Sequence, residues 1–180
     1  TLNYKLSAVS SGLYTLLFFY PLDFTFVCPT ELVALDKAMF EFESRDIKVI
    51  GISVDSQFTH HAWRNTPVTE GGIGPVGYTL VSDLSRSITK AYGIEHPSQS
   101  VALRGAFLID QRGVVRAQLV NDLPIGRSVK EILRLFDALQ FTERYGEVCP
   151  VDWAAGESAL FPNPASLKYY ATKKSGGTAS

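Results

Sequence analysis

The two cysteines, Cys28 and Cys149, are the residues of this sequence that could do the most specific chemistry. Their thiols could be inert core groups, the two halves of a structural bridge, or redox-active groups. Neither belongs to a Cys-x-x-Cys pair, and His60, His61 and His96 show no His-x-x-x-His spacing. Because a structural zinc site needs four ligands at such spacings, we expect no metal and no cofactor. His60 and His61 are then surface or packing residues of a short helix.

Cys28 stands where a loop is predicted to lead into a helix. Pro29 suits the first position of a helix, and Glu31 would lie in the first turn. The unpaired N–H groups and the dipole of a helix start stabilise an anion, which here would be the nucleophilic thiolate. Thr25 takes the place of the first thiol in a Cys-x-x-Cys motif. Cys28 could therefore attack a substrate and be resolved from elsewhere, with the Thr25 hydroxyl bonded to the thiolate or to its target.

Cys149 is predicted to lie outside regular structure. Gly146 ends a predicted helix, and Pro150 favours an extended conformation for the residue before it. A cysteine in such a segment is less suited to a core role than one inside a helix or strand.

The elements that must position these residues alternate between strands and helices. Apolar runs bounded by proline, glycine or charge predict three strands, at 14–20, 48–54 and 78–81. Apolar residues at helical spacing predict three helices, at 29–44, 57–65 and 84–92. A hairpin with strands at 105–110 and 114–120 and a glycine turn comes next, and a long helix follows Ser128. This order predicts an α/β protein with a mixed central sheet and helices on both faces.

The composition fits one domain, residues 1–146, followed by an arm, residues 147–180, with little core of its own. The 17 basic and 18 acidic residues give no electrostatic reason to bind nucleic acid or a membrane surface. The longest strongly apolar run, Tyr14 to Tyr20, is far shorter than the ~20 residues of a membrane span. No signal peptide is recognisable, so we expect a cytoplasmic protein, although a targeting segment could precede Thr1.

The segment from Phe19 to Glu31 resembles the active-site motif of the peroxiredoxins. Its string Phe-Tyr-Pro-Leu-Asp-Phe-Thr-Phe-Val-Cys-Pro-Thr-Glu is similar to that of the typical two-cysteine class. The resemblance continues through Gly51-Ile-Ser-Val-Asp55, His61-Ala-Trp63, Gly71-Gly-Ile-Gly74, Leu103-Arg-Gly105, Phe107-Leu-Ile-Asp110, Gly146-Glu-Val-Cys-Pro150 and Trp153. It implies a thioredoxin-like fold that reduces hydrogen peroxide and organic hydroperoxides.

The resemblance also implies roles for the residues around Cys28, which corresponds to the peroxidatic cysteine. Pro21 shields it from water and Thr25 positions the peroxide. Arg104, in Leu-Arg-Gly, corresponds to the active-site arginine, whose rigid fork of donors can stabilise a thiolate and a breaking O–O bond. Glu31 orients that arginine.

Cys149, in Val-Cys-Pro, matches the resolving cysteine of the family. The implied cycle joins Cys28 of one subunit to Cys149 of another, and thioredoxin or a flavoprotein disulfide reductase then reduces the disulfide. The implied assembly is a homodimer, often a decameric ring of five dimers. The alternatives are a disulfide oxidoreductase or isomerase, which the missing Cys-x-x-Cys disfavours, and a holdase chaperone, a second activity that could coexist with the first.

The glycines Gly71, Gly72 and Gly74 lie in a long loop that contains Pro75, so we do not expect their dinucleotide-like spacing to bind a nucleotide. The loop resembles the Gly-Gly-Leu-Gly loop of peroxiredoxins that are sensitive to over-oxidation. The partner motif of that loop, a C-terminal Tyr-Phe, would be Tyr169-Tyr170 here, with an added hydroxyl.

The N-terminus departs from the family pattern. The family has roughly twenty more residues, with a short hairpin, before the strand at 14–20. Either residues precede Thr1 in the natural protein or the hairpin is reduced.

Overall fold

The computed structural model describes residues 12–175. The predicted truncation of the N-terminal hairpin concerns residues 1–11, which lie outside this range. The chain divides into two compact units, residues 1–129 and 130–180. The functional boundary predicted after Gly146 stays a prediction.

The first unit is built on a five-stranded mixed sheet. Its strands are β1 (Tyr14–Phe19), β2 (Ile47–Ser53), β3 (Thr79–Ser82), β4 (Arg104–Ile109) and β5 (Val115–Asn121). Their order across the sheet is β3-β2-β1-β4-β5; β1, β2 and β3 are parallel, and β4 is antiparallel to both β1 and β5. The predicted α/β class, the mixed sheet and the hairpin are confirmed.

The core of this unit lies along the central strands. Every residue of β1 and of β4 is buried, as expected where both faces of a sheet are covered. On one face, the Phe19 ring meets the Phe107 ring edge-on with centroids 5.7 Å apart, and Tyr92 packs against Phe107 at 4.7 Å. These contacts hold β1 and β4 side by side, so the end of β1 and the start of β4 are fixed relative to each other.

The helices of the first unit are α1 (Val27–Lys37), α2 (Met39–Glu43), α3 (Gln57–Asn65) and α4 (Ser87–Ala91). The helix predicted at 57–65 is confirmed, and the Ser56 hydroxyl caps it by accepting from Thr59 N–H at 3.1 Å. A short 3₁₀ turn at Val68–Glu70 lies in the predicted loop. No helix within residues 12–175 is long and apolar enough to cross a membrane.

The single helix predicted at 29–44 is wrong in two respects. The helix begins at Val27, so Pro29 is its third residue and Glu31 lies beyond its first turn. The chain then leaves the helix at Ala38, where the N–H of Ala38 bonds the carbonyl of Leu35 at 3.0 Å. This tightening to a three-residue bond ends α1, and α2 starts at the next residue, Met39.

The helix predicted at 84–92 is also shorter than expected. Arg86 adopts a left-handed conformation with φ 57°, and Ser87 is the first helical residue. The Asp83 carboxylate accepts hydrogen bonds from the N–H groups of Ile88 and Thr89 at 3.1 and 2.8 Å. Asp83 therefore satisfies the N-terminal donors of a helix that starts three residues late.

Two more helices follow: α5 (Val129–Tyr145), which lies in the second unit from Lys130 onward, and α6 (Pro164–Ser175). The long helix after Ser128 is confirmed, and Gly146 ends it with φ 69°. The helix α6 was not predicted, although Asn163 before Pro164 is a helix-start signal. In the structure, the Asn163 side chain accepts from Ser166 N–H at 2.9 Å. Buried Trp153 of the arm packs on Phe141 of α5, with ring centroids 4.9 Å apart.

Candidate active site

Three chain segments meet at one edge of the sheet. β4 runs antiparallel to β1 with Ala106 opposite Phe18, so Arg104, which opens β4, lies at the edge where β1 ends. Arg104 also faces Asn121, the last residue of β5, so the loop after β5 starts at the same edge. A loop of seven residues joins β1 to α1, and the first turn of α1 brings Cys28 to this place.

Cys28 is a free, fully buried thiol in the first turn of α1. The Arg104 guanidinium donates to it, with 3.4 Å between Nη1 and the Cys28 Sγ. The same nitrogen lies 2.8 Å from Oε2 of Glu31. Of the predicted site residues, Arg104 is therefore in direct contact with both Cys28 and Glu31.

The Glu31 carboxylate is buried between two arginines. It accepts from Arg104 and also from Arg127, whose backbone N–H and Nε lie 2.8 and 2.9 Å from Oε1 and whose Nη2 lies 2.9 Å from Oε2. Arg104 is fixed at a second point, since its Nε donates to the Leu123 carbonyl at 2.6 Å. Glu31 therefore contacts Arg104, the arginine that the resemblance implies it orients, and it contacts Arg127 as well.

Arg127 is a site residue that the sequence analysis missed. Its guanidinium carbon lies 3.3 Å from the centroid of the Phe18 ring, and its Nη1 donates to the Gly105 carbonyl at 2.7 Å. Burial lowers the pKa of Arg127, and the hydrogen bonds to Glu31 oppose that lowering. Arg127 follows Gly126 in a loop between β5 and α5, where no motif or spacing marks it as functional.

The charges of this cluster, defined as Cys28, Glu31, Arg104 and Arg127, favour an added anion. Its three ionic side chains are each at most 4% exposed, so water screens them little. Two guanidinium groups face one carboxylate, which leaves one positive charge in excess beside the sulfur. That excess can stabilise a thiolate, or negative charge that develops on an oxygen during attack by the sulfur.

Pro21 and Thr25 lie in the loop between β1 and α1. Pro21 is buried and Thr25 is half-buried. The Thr25 hydroxyl donates to the Leu22 carbonyl at 2.9 Å. Because its proton is engaged there, the hydroxyl can only accept a hydrogen bond from a group that enters the site, such as the O–H of a hydroperoxide.

The three glycines of the predicted regulatory loop allow backbone conformations and a close approach that other residues would not. Gly71 has φ 83°, and its carbonyl accepts from the indole N–H of Trp63 at 2.9 Å. A Cβ on Gly72 would overlap the backbone carbonyl of Thr66. The loop is therefore held closely against α3, and Gly74 also has a positive φ, of 67°.

Cys149, Tyr169 and Tyr170 lie in the second unit. Cys149 is a free, half-buried thiol whose Sγ lies 3.7 Å from both the Ala138 carbonyl and the Thr142 hydroxyl of α5. On α6, Tyr169 is 72% exposed and Tyr170 is half-buried. Within residues 12–175, no group of three or more His, Cys, Asp or Glu side chains is arranged to hold a metal ion.

Comparisons with known proteins identify two matching families. Residues 2–118 match the AhpC/TSA family. Residues 138–172 match the C-terminal domain of 1-Cys peroxiredoxin, and this stretch includes Cys149. Arg127 lies between the two matched stretches.

The chain is similar to named relatives over most of its length. It is 46% identical to alkyl hydroperoxide reductase C of Buchnera aphidicola, across 95% of this chain and 86% of the relative. It is 51% identical to peroxiredoxin-2 of Bos taurus, across 90% and 81% of the two chains. The crystal structure of the reduced 2-Cys peroxiredoxin of Plasmodium vivax superposes with a TM-score of 0.90 at 48% identity, covering 93% of this chain and 86% of that one. This likeness confirms the predicted thioredoxin-like fold.

Proposed function

Because the chain belongs to the AhpC/TSA family and is a thiol-dependent peroxidase of the two-cysteine peroxiredoxin type, we propose that Cys28 is the thiol that attacks the peroxide. The observation that carries this proposal is the contact of Arg104 Nη1 with Cys28 Sγ at 3.4 Å. Hydrogen peroxide and organic hydroperoxides are the proposed substrates. The cytoplasmic location expected from the sequence is part of the same proposal.

In the first step, the Cys28 thiolate attacks one oxygen of the O–O bond. An S–O bond forms, the O–O bond breaks, and the leaving oxygen takes up a proton as water or an alcohol. The product on the protein is Cys28 sulfenic acid. The excess positive charge beside Cys28 stabilises the charge that moves from the sulfur to the leaving oxygen.

In the second step, the Cys149 thiol of a second subunit condenses with the sulfenic acid, and a disulfide and water form. Cys28 is 0% exposed, so the start of α1 must unfold first. That start is weakly held, because Phe26 at the N-cap makes no side-chain hydrogen bond to the helix. The later part of α1 is fixed by the Tyr78 hydroxyl, which donates to the Leu32 carbonyl at 2.8 Å, so unfolding is confined to the turns before Leu32.

A dithiol reductant, thioredoxin or a flavoprotein disulfide reductase, completes the proposed cycle by thiol–disulfide exchange.

We also propose that the protein assembles into homodimers and decamers. Large apolar side chains stand in solvent on the first unit, where Phe26, Phe40 and Phe58 are 91%, 78% and 76% exposed. Such surfaces favour contacts with other subunits, and with unfolded clients if a holdase chaperone activity coexists.

Replacing Cys149 with serine tests this cycle. The Cys149→Ser enzyme should consume about one peroxide per subunit and then stop, because the Cys28 sulfenic acid has no thiol to condense with. The measurement is peroxide consumption with a thioredoxin-type dithiol as the reductant, with mass spectrometry of the product, in the absence of any disulfide substrate. Thr142→Ala, beside Cys149 on α5, is the matched control and should turn over repeatedly. Sustained turnover by Cys149→Ser would exclude Cys149 as the resolving residue. A wild-type protein that consumes no peroxide without a disulfide substrate would favour the isomerase alternative.

We further propose that Tyr169 and Tyr170 regulate the second step. The outer face of α1, at Pro29 and Val33, lines a groove of about 380 Å³ that Gly71 closes on the other side. Aromatic side chains seated in this groove would hold the start of α1 folded. The sulfenic acid would then wait longer for Cys149 and could meet a second peroxide, which oxidises it to sulfinic acid.

Deleting residues 166–180, which removes most of α6, should therefore speed disulfide formation and raise the peroxide concentration needed to inactivate the enzyme. The measurement is inactivation per turnover across a peroxide series. A chain that ends at Ser175 keeps α6 and is the control, which should match the full chain. Coincident curves for the full and the 166–180 deleted chains would exclude control by the tyrosine pair.

A further inference from the structure

A buried polar pair lies at the loop that carries Pro21 and Thr25. Asp23, in the middle of this loop, and His60, on α3, have side chains that are 0% and 5% exposed. His60 Nδ1 lies 2.7 Å from Asp23 Oδ2. The other carboxylate oxygen, Oδ1, accepts from the Tyr20 hydroxyl at 2.8 Å. Neither Asp23 nor His60 has a part in the cycle described above.

The proton positions in this pair follow from its partners. The Asp23 carboxylate can only accept, so the His60 Nδ1 carries a proton and donates it. His60 Nε2 lies 3.3 Å from the Val81 carbonyl. Burial, with the Asp23 charge next in effect, raises the pKa of Tyr20, so its hydroxyl stays protonated and donates to Asp23. Both ends of the carboxylate are therefore held by fixed donors.

The same loop is tied down at two further points. The Asp23 N–H donates to Asp55 Oδ2 at 2.9 Å, just beyond β2. The Phe24 ring packs on Trp63 with centroids 5.8 Å apart, and Trp63 lies three residues after His60, on the same side of α3. Phe24 has φ 52°, a conformation that a bulky residue adopts only where its surroundings impose it. The helix α3 thus holds the loop in a strained shape.

We propose that Asp23 and His60 are positioning residues for the peroxide step, because their hydrogen bond sets where Pro21 and Thr25 stand. Thr25 is two residues from Asp23, and its hydroxyl is oriented by a carbonyl of the same loop. A shift of about 1 Å in a group that orients a substrate can cost about 100-fold in rate. This inference rests on the proposed attack of Cys28 on peroxide.

Two substitutions of His60 separate the hydrogen bond from simple packing. His60→Asn places an amide N–H close to where Nδ1 stood and can still donate to Asp23. His60→Gln is nearer to histidine in volume, but its amide reaches the position of Nε2 instead. The expected rate constant for peroxide with His60→Asn is within about threefold of wild type, and with His60→Gln it is lower by about tenfold or more. If only the volume of the side chain mattered, the rate constant for peroxide would be higher with His60→Gln than with His60→Asn.

Alkylation of Cys28 by iodoacetamide is the second readout, because it reports the reactivity and accessibility of the thiol without the geometry of a peroxide. It should be unchanged in His60→Gln, whereas general loosening of the site would raise it. His61→Gln is the matched control, because His61 is exposed on α3 and its Nε2 lies 3.0 Å from the Asn65 side chain. It should have the wild-type rate in both assays.

Substitutions of Asp23 test the pair from its other side. Asp23→Asn can accept from Tyr20 and donate to a neutral His60, while Asp23→Leu, of similar size, can do neither. The leucine variant should lose at least about tenfold in the peroxide rate and the asparagine variant should lose little.

A His60→Gln rate equal to that of His60→Asn, or an Asp23→Leu rate equal to wild type, would overturn the positioning role. Cys28→Ser, assayed in parallel, distinguishes failure of the proposed function from failure of the positioning role. If Cys28→Ser still reduces peroxide, the proposed function fails, whereas an inactive Cys28→Ser beside unaffected His60 and Asp23 variants removes only the positioning role.

Discussion

Replacing Cys28 with serine should abolish peroxide reduction. A serine hydroxyl holds its proton too strongly to offer an anion at neutral pH, even beside Arg104. Loss of an enzyme's nucleophile lowers turnover by on the order of 10⁶-fold, so no peroxide consumption beyond that of the reductant alone should be measurable. The remaining rate is measured as peroxide consumption with an excess of dithiol reductant.

Cys149→Ser is the matched control for this substitution, because it makes the same chemical change at the other thiol. It should keep the fast first step, seen as one rapid peroxide consumed per subunit. Mass spectrometry of the wild type at short times should find the sulfenic acid on Cys28. A first sulfenic acid on Cys149 would reverse the assignment of the two cysteines.

The strands and α3 could be predicted because local signals decide them. The run from Tyr14 to Phe19 is apolar at every residue but Thr15, as a strand buried on both faces requires. The helix α3 has its own cap in Ser56 and a proline two residues beyond its end. In these segments the sequence pattern and the tertiary environment favour the same structure.

The errors occurred where hydrogen bonds that the apolar spacing does not show set the ends of a helix. The start of α4 is fixed by the Asp83 carboxylate, which reaches past three residues to cap it. The break at Ala38 follows a local tightening that the apolar spacing does not reveal, because Leu35 and Phe42 on either side are both fully buried. A continuous apolar pattern is compatible with one helix or with two.

The candidate site shows the same division. Cys28 and Thr25 are neighbours in a long motif, so the sequence alone singles them out. Arg127 reaches the site only because β5 ends at the edge where β1 ends and β4 begins, and this depends on the order of strands in the sheet. The pairing of Asp23 with His60 spans 37 residues and has no local signature.

Replacing Arg104 with lysine should lower the rate constant for peroxide by about 10²–10³-fold, although the charge is kept. Arg104 uses its rigid fork at three points: Nε donates to the Leu123 carbonyl, and Nη1 contacts both Glu31 and Cys28. A lysine ammonium is a single point charge, and it cannot reach the backbone and the sulfur from one nitrogen. Losing one donor aimed at developing negative charge costs about 10²–10³-fold in other enzymes. Stopped-flow measurement of the Cys28 oxidation step gives the rate constant directly.

Arg86→Lys is the control for this substitution, because the Arg86 guanidinium pairs with Glu95 at 3.2 Å and is 35% exposed. A partly exposed ion pair contributes at most about 1 kcal/mol, so this variant should have the wild-type rate. Arg127 still binds Glu31 at both carboxylate oxygens in Arg104→Lys, so the fold around α1 should survive and thermal unfolding should change little. A rate within about threefold of wild type would rule out Arg104 as an active-site group. A large loss of rate without loss of the fold means that the geometry of the guanidinium, beyond its charge, stabilises the breaking O–O bond.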